Sequence, residues 1–326
     1  MRVLIFTEGG SETGFGHISR CSSLFEELAV RGIEAEFIIN ADCTQIEIIK
    51  DKKYKLVNWL SQIFLKKYIK KTDFCIVDSY LADESLCQTI SSLSKKTLFI
   101  DDDARINYPE GIVVNPASII RRVNYPIKQK NYLFGPEYIV LRRPFISVKR
   151  ESISHNVKEV LITLGGTDMH NLTPSIINSL CNIYPEITFN VVVGMTHKNR
   201  VDLKDFKSKN IIFYKDIKAT EMKAVMLKSD FAITAAGQTI YELLATDTPF
   251  IPIQVAENQI NNIEMIREFR YSEIILDYKD PYLINNLLKA FEKLLDFNKR
   301  FEIFNKIQGV LKGSGSEKII DELLKQ

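Results

Sequence analysis

A short apolar run, a glycine-rich turn and an amphipathic helical pattern follow one another at the start of the chain, and the same order returns halfway along. Val3-Leu4-Ile5-Phe6 leads into Gly9-Gly10-Ser11-Glu12-Thr13-Gly14-Phe15-Gly16-His17-Ile18-Ser19-Arg20-Cys21, and the helical pattern then runs to Arg31-Gly32. Val160-Leu161-Ile162-Thr163-Leu164 leads in the same way into Gly165-Gly166-Thr167-Asp168, with a helix expected over 171–181. Apolar runs this short, separated by helices, imply parallel pairing with helices on both faces of each sheet. The predicted class is α/β, with two Rossmann-like doubly wound domains. The length of 326 residues agrees, because a single core rarely grows beyond about 250–300 residues.

Further strands are expected at 36–40, 74–78, 97–100 and 112–114, with helices over 44–50, 59–69 and 83–93. The pattern weakens between Tyr138 and Asn156, which places the domain boundary near Arg150. Residues 1–150 then form an N-terminal domain. Residues 151–326 form a second domain, with strands at 189–193, 211–214, 231–234 and 250–253 and C-terminal helices over 283–294 and 316–325.

Composition narrows the function classes. The 43 basic and 41 acidic residues leave a formal charge of +2, so nothing marks a nucleic-acid binder. Cys21, Cys43, Cys75, Cys87 and Cys181 contain no C-x-x-C pair and suggest neither a disulfide framework nor a zinc site, which fits a reducing cytoplasm. No apolar run approaches the ~18–20 residues that span a bilayer, so no membrane insertion is expected. His155, His170 and His197 share no ligand spacing, and neither a metal nor a cofactor is called for.

The chemistry concentrates at strand ends, where open α/β sheets bind ligands. Glycines at 14 and 16 let backbone N–H groups approach a ligand, and the start of the following helix favours a phosphate or diphosphate. No Gly-Lys-Ser/Thr follows, so this is not a P-loop, and the third glycine of a dinucleotide fingerprint is missing. His17 stands there instead, with an unperturbed pKa near ~6.5 that suits a proton acceptor; the alternative is a capping or ribose-binding histidine. Asp78-Ser79-Tyr80 follows one strand and Asp101-Asp102-Asp103 another, the latter either a solvated turn or a hydrogen-bonding group. Tyr80 either contacts a sugar or covers the core edge. In the second half, Ala235-Ala236-Gly237-Gln238-Thr239 opens a helix in which Glu242 either accepts ribose hydroxyls or caps the surface. Beyond the next strand, Glu257-Asn258-Gln259 and Asn261-Asn262 offer amides to phosphate or sugar oxygens.

Taken in order, Gly14-Phe15-Gly16-His17-Ile18-Ser19-Arg20, Val77-Asp78-Ser79-Tyr80, Gly165-Gly166-Thr167-Asp168, segment 236–242 and Glu257-Asn258-Gln259 resemble the PseG-type nucleotide-sugar hydrolases, over most of the chain. That family has the MurG-like glycosyltransferase-B architecture, two Rossmann-like domains facing across a cleft. Its members hydrolyse UDP-2,4-diacetamido-2,4,6-trideoxy-β-L-altropyranose on the route to pseudaminic acid. The resemblance implies that His17 activates water, that Tyr80 and Asn258 lie near the sugar or diphosphate, and that segment 236–242 holds the nucleotide. The expected catalytic set is His17, Tyr80 and Asn258. The expected substrate-binding set is Gly14, Gly16, Arg20, Gly165, Gly166, Thr167, Asp168, Gly237, Gln238, Thr239, Glu242 and Gln259. The expected partners are a UDP-sugar and water. The rival is a glycosyltransferase of the same fold, whose acceptor hydroxyl would replace water; the basic stretch Lys66-Lys67-Tyr68-Ile69-Lys70-Lys71 keeps a lipid acceptor in view.

Overall fold

Residues 1–10, 14–42, 46–102, 104–116, 131–166, 168–194, 206, 208–311, 313 and 315–325 are described by the computed structural model. The chain divides into two α/β units, one of Met1–Arg142 with Gly313–Gln326 and the other of Arg143–Lys312. The first contains β1 (Arg2–Glu8), α1 (Gly16–Val30), β2 (Glu34–Asn40), β3 (Tyr54–Leu56), α2 (Gln62–Tyr68), β4 (Phe74–Asp78), α3 (Glu84–Leu93), β5 (Lys96–Ile100), β6 (Ile112–Asn115) and β7 (Tyr132–Phe134). Every neighbouring pair is parallel, in the order β3-β2-β1-β4-β5-β6-β7.

A central parallel strand is buried on both faces, and successive side chains point to opposite sides. In β1, Val3 and Ile5 enter one core with Leu24 and Leu28 of α1, while Leu4 and Phe6 enter the other with Trp59, Leu65 and Ile90. Trp59 carries a polar N–H into that second core, and Nε1 donates to the Thr7 carbonyl at 2.8 Å. With Trp59 held there, Ser61 N bonds back to the Trp59 carbonyl and the extended Ser61 caps the next helix, so the helix expected from 59 begins at Gln62. The helix expected over 44–50 is reduced, among its described residues, to one 3-10 turn at Glu47–Ile49.

The second unit contains β8 (Glu159–Thr163), α4 (Leu172–Leu180), β9 (Thr188–Val193), β10 (Ile211–Lys215), α5 (Ala219–Lys228), β11 (Phe231–Ala235), α6 (Thr239–Ala245), β12 (Phe250–Gln254), α7 (Ile260–Phe269), β13 (Leu276–Asp277), α8 (Leu283–Leu295) and α9 (Phe297–Ile307). Its sheet is again parallel, in the order β10-β9-β8-β11-β12-β13. Two arginines tie down its start, Arg150 half-buried and Arg300 fully buried. Arg150 donates to the carbonyls of Met226, Ser229 and Thr246 and to the Thr248 hydroxyl. Arg300 donates to those of Ser154, His155, Leu294 and Leu295. Among the described residues no helix is long and apolar enough to cross a membrane.

The last helix, α10 (Gly315–Leu324), corrects the expected grouping of the C-terminal helices with the second half. Its apolar stripe, Ile319, Ile320 and Leu323, is buried in the first unit's core beside Val3, Leu24 and Leu28. Arg31 Nη1 meets Asp321 at 2.6 Å, and Lys96 Nζ donates to the carbonyls of Glu322 and Lys325 at 2.9 Å. Amphipathic spacing identifies such a helix but carries no information about which core accepts its stripe. Gly315 permits the docking, because a Cβ there would fall 2.0 Å from the Ile139 carbonyl oxygen. Gly315→Ala should therefore destabilise the first unit by about 1–3 kcal/mol, the usual penalty for overpacking. Denaturant unfolding checks this, and an unchanged midpoint would mean that the helix start is free to shift.

Candidate active site

In the first sheet the chain builds outward from β1 in one direction through β2 and in the other through β4, so the reversal falls between β1 and β4, the place where doubly wound sheets bind ligands. The strands end together there, with Thr7 opposite Asp78 and Asp78 opposite Ile100. Gly10 and Gly14 exchange backbone hydrogen bonds of 3.0 and 2.8 Å, and Gly14 takes φ +75°, which closes the turn after β1. Helix α1 then opens at Gly16 with no side-chain cap, and His17 is its second residue.

Around the end of β4 the structure assembles a polar cluster that the sequence presents as scattered motifs. The Asp78 side chain is only 1% exposed, and a carboxylate that deep needs partners on every lone pair. His17 Nδ1 lies 2.7 Å from Asp78 Oδ1, and Arg20 donates to Asp78 from Nη2 at 2.7 Å and from Nε at 2.9 Å. The Cys21 thiol adds a 3.4 Å contact to Oδ2. Arg20 also donates to Asp102, from Nη1 at 2.7 Å and Nη2 at 3.1 Å. The Tyr80 hydroxyl donates to Asp102 Oδ2 at 2.7 Å, and the Tyr80 ring meets the His17 ring edge-to-face at 4.5 Å. Buried Glu8, at the end of β1, accepts from the Ser79 hydroxyl and from the backbone N–H groups of Tyr80 at 2.6 Å and Leu81 at 3.2 Å. It holds the loop that carries Tyr80.

These contacts fix the state of the histidine. Burial alone would raise the Asp78 pKa, but Arg20 and His17 outweigh it and hold the carboxyl well below the ordinary range. An ionised carboxylate only accepts, so the proton between the two groups belongs to Nδ1 of His17, and neutral His17 carries its lone pair on Nε2. Nε2 has no partner among the described residues, and the side chain keeps 12% exposure. Burial pulls the His17 pKa down, yet the Asp78 charge and hydrogen bond prevail and leave it above its usual value. Burial and the Asp102 charge push the Tyr80 hydroxyl far up, so it stays protonated. A buried Asp–His pair with an accessible second nitrogen is an arrangement for accepting a proton.

The second unit's expected residues lie at the ends of β8, β11 and β12. Gly165 takes φ +83°, and both Gly165 and Gly166 are exposed, while Thr167 lies outside the described residues. Gly194, beyond β9, faces the same turn; a Cβ on it would come within 2.4 Å of the Gly166 carbonyl oxygen. Asp168 is buried, and its two oxygens accept from the N–H groups of Leu172 and Thr173 at 2.9 Å each, so it caps α4. Gly237, Gln238 and Thr239 are half-buried at the start of α6, and Glu242, one turn in, is 4% exposed. Asn258 is exposed in the 3-10 turn Glu257–Gln259. Gln259 accepts from Val255 N at 2.9 Å, while Asn262 donates to the Ala236 carbonyl at 2.8 Å and accepts from the Tyr241 hydroxyl at 2.6 Å. These amides join the loops after β11 and β12. His170 Nε2 lies 2.9 Å from the Val255 carbonyl oxygen and its ring stacks on Tyr278 at 3.9 Å. Among the described residues no group of three or more His, Cys, Asp or Glu side chains is placed to hold a metal.

Sequence reasoning placed His17, Arg20 and Tyr80 at the site and assigned no role there to Glu8. It marked Asp78 and Asp102 only as residues at strand ends. The available signal was an acidic residue at the end of three strands; the missing one was strand order, which alone says that these ends are neighbours.

Two Rossmann-like units of this kind define the glycosyltransferase-B fold. Over the whole of both chains the structure is similar to MurG of Acinetobacter baumannii, with a TM-score of 0.69 and 13% identity. Residues 160–323 match the Glycosyltransferase family 28 C-terminal domain, and the chain belongs to that family. It is 30% identical over 276 residues to an uncharacterised protein of Methanocaldococcus jannaschii, covering 79% of this chain and 57% of the relative. It is 24% identical over 312 residues, 93% of this chain and 54% of the relative, to a Helicobacter pylori protein named pseudaminic acid cytidylyltransferase and UDP-2,4-diacetamido-2,4,6-trideoxy-β-L-altropyranose hydrolase. The chain thus spans little more than half of either relative. A Campylobacter jejuni protein named for that hydrolase alone is 23% identical over 272 residues, 79% of this chain and 93% of the relative.

The protonation argument gives a direct test. His17 keeps its proton below its pKa and loses it above, and Asp78 is what holds that pKa up. Asp78→Asn should therefore move the midpoint of the His17 ring titration to lower pH, followed by long-range proton–nitrogen NMR. A midpoint that stays in place or rises would mean that Asp78 does not govern the ring.

Proposed function

We propose that the chain is a nucleotide-sugar hydrolase that releases UDP from a UDP-linked deoxy-diacetamido sugar, on the route to a nonulosonic acid such as pseudaminic acid. The observation that carries the reading is the buried Asp78–His17 pair, which leaves Nε2 as a base beside a glycine-rich helix start. The names of the Helicobacter and Campylobacter relatives support the substrate class. In this reading water attacks the anomeric carbon while its proton passes to Nε2. The carbon–oxygen bond to the diphosphate breaks, and UDP leaves with the electron pair. A single displacement inverts the anomeric centre. The loops after β11 and β12, with Gly237, Gln238, Thr239, Glu242, Asn258 and Gln259, take the nucleotide and stabilise the leaving diphosphate without a metal. Gly165 and Gly166 lend backbone N–H groups.

Membership of a glycosyltransferase family favours a second reading, transfer of the sugar to an acceptor hydroxyl deprotonated by the same His17. The discriminating experiment offers a panel of nucleotide sugars with no acceptor and follows UDP release by mass spectrometry. Multiple turnovers on a UDP-diacetamido sugar are expected; release that requires an acceptor would establish the transferase.

Two substitutions separate chemistry from binding. His17→Asn keeps the size of the side chain and removes the base, so the saturated rate should fall ~10²–10⁴-fold while binding of the nucleotide sugar stays within a few-fold. A near-normal saturated rate would exclude His17 as the base. Glu242→Ala should weaken UDP binding by ~1.5–3 kcal/mol, as for a lost charged hydrogen bond. Unchanged affinity in calorimetry would remove Glu242 from the nucleotide site.

A further inference from the structure

The arginine of the first motif has a different task from the one its position suggests. Arg20 sits one helical turn after His17, at a strand end and a helix start, where a guanidinium would ordinarily be read as a clamp for a diphosphate. A guanidinium has five N–H donors in a fixed planar fork. The structure commits Nε and Nη2 to the two oxygens of Asp78, and Nη1 and Nη2 to the two oxygens of Asp102, at 2.7 to 3.1 Å. Four donors are spent on protein carboxylates, and the side chain is only 10% exposed.

Each carboxylate held in this way controls a group at the face of the site. Asp78 accepts a hydrogen bond from His17 Nδ1–H, and Asp102 accepts one from the Tyr80 hydroxyl, while the Tyr80 ring packs against the His17 ring. The remaining short contact of Arg20, Nη2 to His17 Nδ1 at 3.4 Å, is not a hydrogen bond when Nδ1 carries the proton that Asp78 accepts. We infer that Arg20 is a positioning residue: it locks Asp78 and Asp102 in one planar bridge, and through them aims Nε2 of His17 and fixes the Tyr80 ring, without touching the nucleotide sugar. This rests on the reading of His17 as the base.

Lysine at this position would keep the charge and lose the fork, so it can serve one carboxylate at a time. The groups facing His17 are then Asp78 from β4, Tyr80 from the following loop, Asp102 after β5 and residue 20 itself; Cys21 touches Asp78, and Glu8 holds the Tyr80 loop from β1. Weakening the bridge leaves the two carboxylates less neutralised, and the His17 proton is retained to higher pH.

The experiment compares the full chain with Arg20→Lys in three measurements: UDP affinity by calorimetry, the His17 ring titration by NMR, and the saturated rate of UDP release. Affinity should stay within about threefold, the titration midpoint should move to higher pH, and the saturated rate should fall by about 10²-fold, the size expected for a base displaced by roughly an ångström. A loss of UDP affinity of about tenfold or more with an unmoved titration would overturn the inference and make Arg20 a ligand contact. Unchanged values in all three would overturn it as well. If Arg20→Lys does not fold, Asp102→Asn keeps the Asp78 pair and is read in the same way, a lowered saturated rate at unchanged UDP affinity supporting the bridge and an unchanged rate refuting it. The NMR titration needs no substrate, so if the wild-type chain releases no UDP the hydrolase reading fails while the role of Arg20 is still decided.

Discussion

A carboxylate with 1% of its side chain exposed cannot stand ionised unless its surroundings replace water, and the first unit is arranged around meeting that demand at Asp78. Three kinds of donor reach it from α1: an imidazole, a guanidinium and a thiol. Their spacing of one helical turn, from position 17 to 21, works only if the helix begins at Gly16 and if β4 lies directly beside β1. The glycine turn secures the first condition through the Gly10–Gly14 backbone pair, and parallel registration of Thr7 with Asp78 secures the second. The geometry of the polar cluster and the sheet topology are here one constraint seen at two scales.

The second carboxylate makes the arrangement rigid. One ion pair leaves an arginine free to swivel about its long side chain, whereas two carboxylates gripping adjacent edges of the same plane, with Nη2 shared between them, leave no low-energy rotation. Tyr80 is fixed from two directions as well, its hydroxyl by Asp102 and its backbone N–H by Glu8. The ring standing edge-on to His17 therefore has a defined position before any ligand arrives, the preorganisation that the role proposed for His17 would need.

Much of the fold was legible because parallel strands buried on both faces write themselves as apolar runs with abrupt polar ends. The expected strands at 74–78 and 211–214 fall within a residue of those observed. Strands of two or three residues, such as β3, β7 and β13, are too short to show a period, and none was anticipated. The 59–69 helix was overextended because Trp59 carries the apolar signal of a helix while its N–H is committed to Thr7. At the site, His17 was visible from its place at a glycine-rich helix start. Its dependence on Asp78 was not, since the two are 61 positions apart and pairwise adjacency comes from strand order. Asp168 adds a structural role that its motif did not announce, since its two carboxylate oxygens accept from the N–H groups that start α4.

The return of α10 to the first unit has a consequence for how the protein comes into being. Ile319, Ile320 and Leu323 complete a core whose other members, Val3, Ile5 and Leu24, precede the whole second unit in the chain. Until α10 emerges, that face of the sheet stays open to solvent, however long the earlier residues have been outside the ribosome's tunnel. The second unit, whose described core residues all lie in the one continuous stretch from Phe145 to Leu311, is under no such delay. Synthesis in chain order thus completes the inserted unit first, and the unit that carries His17 becomes whole only after α10 has followed it.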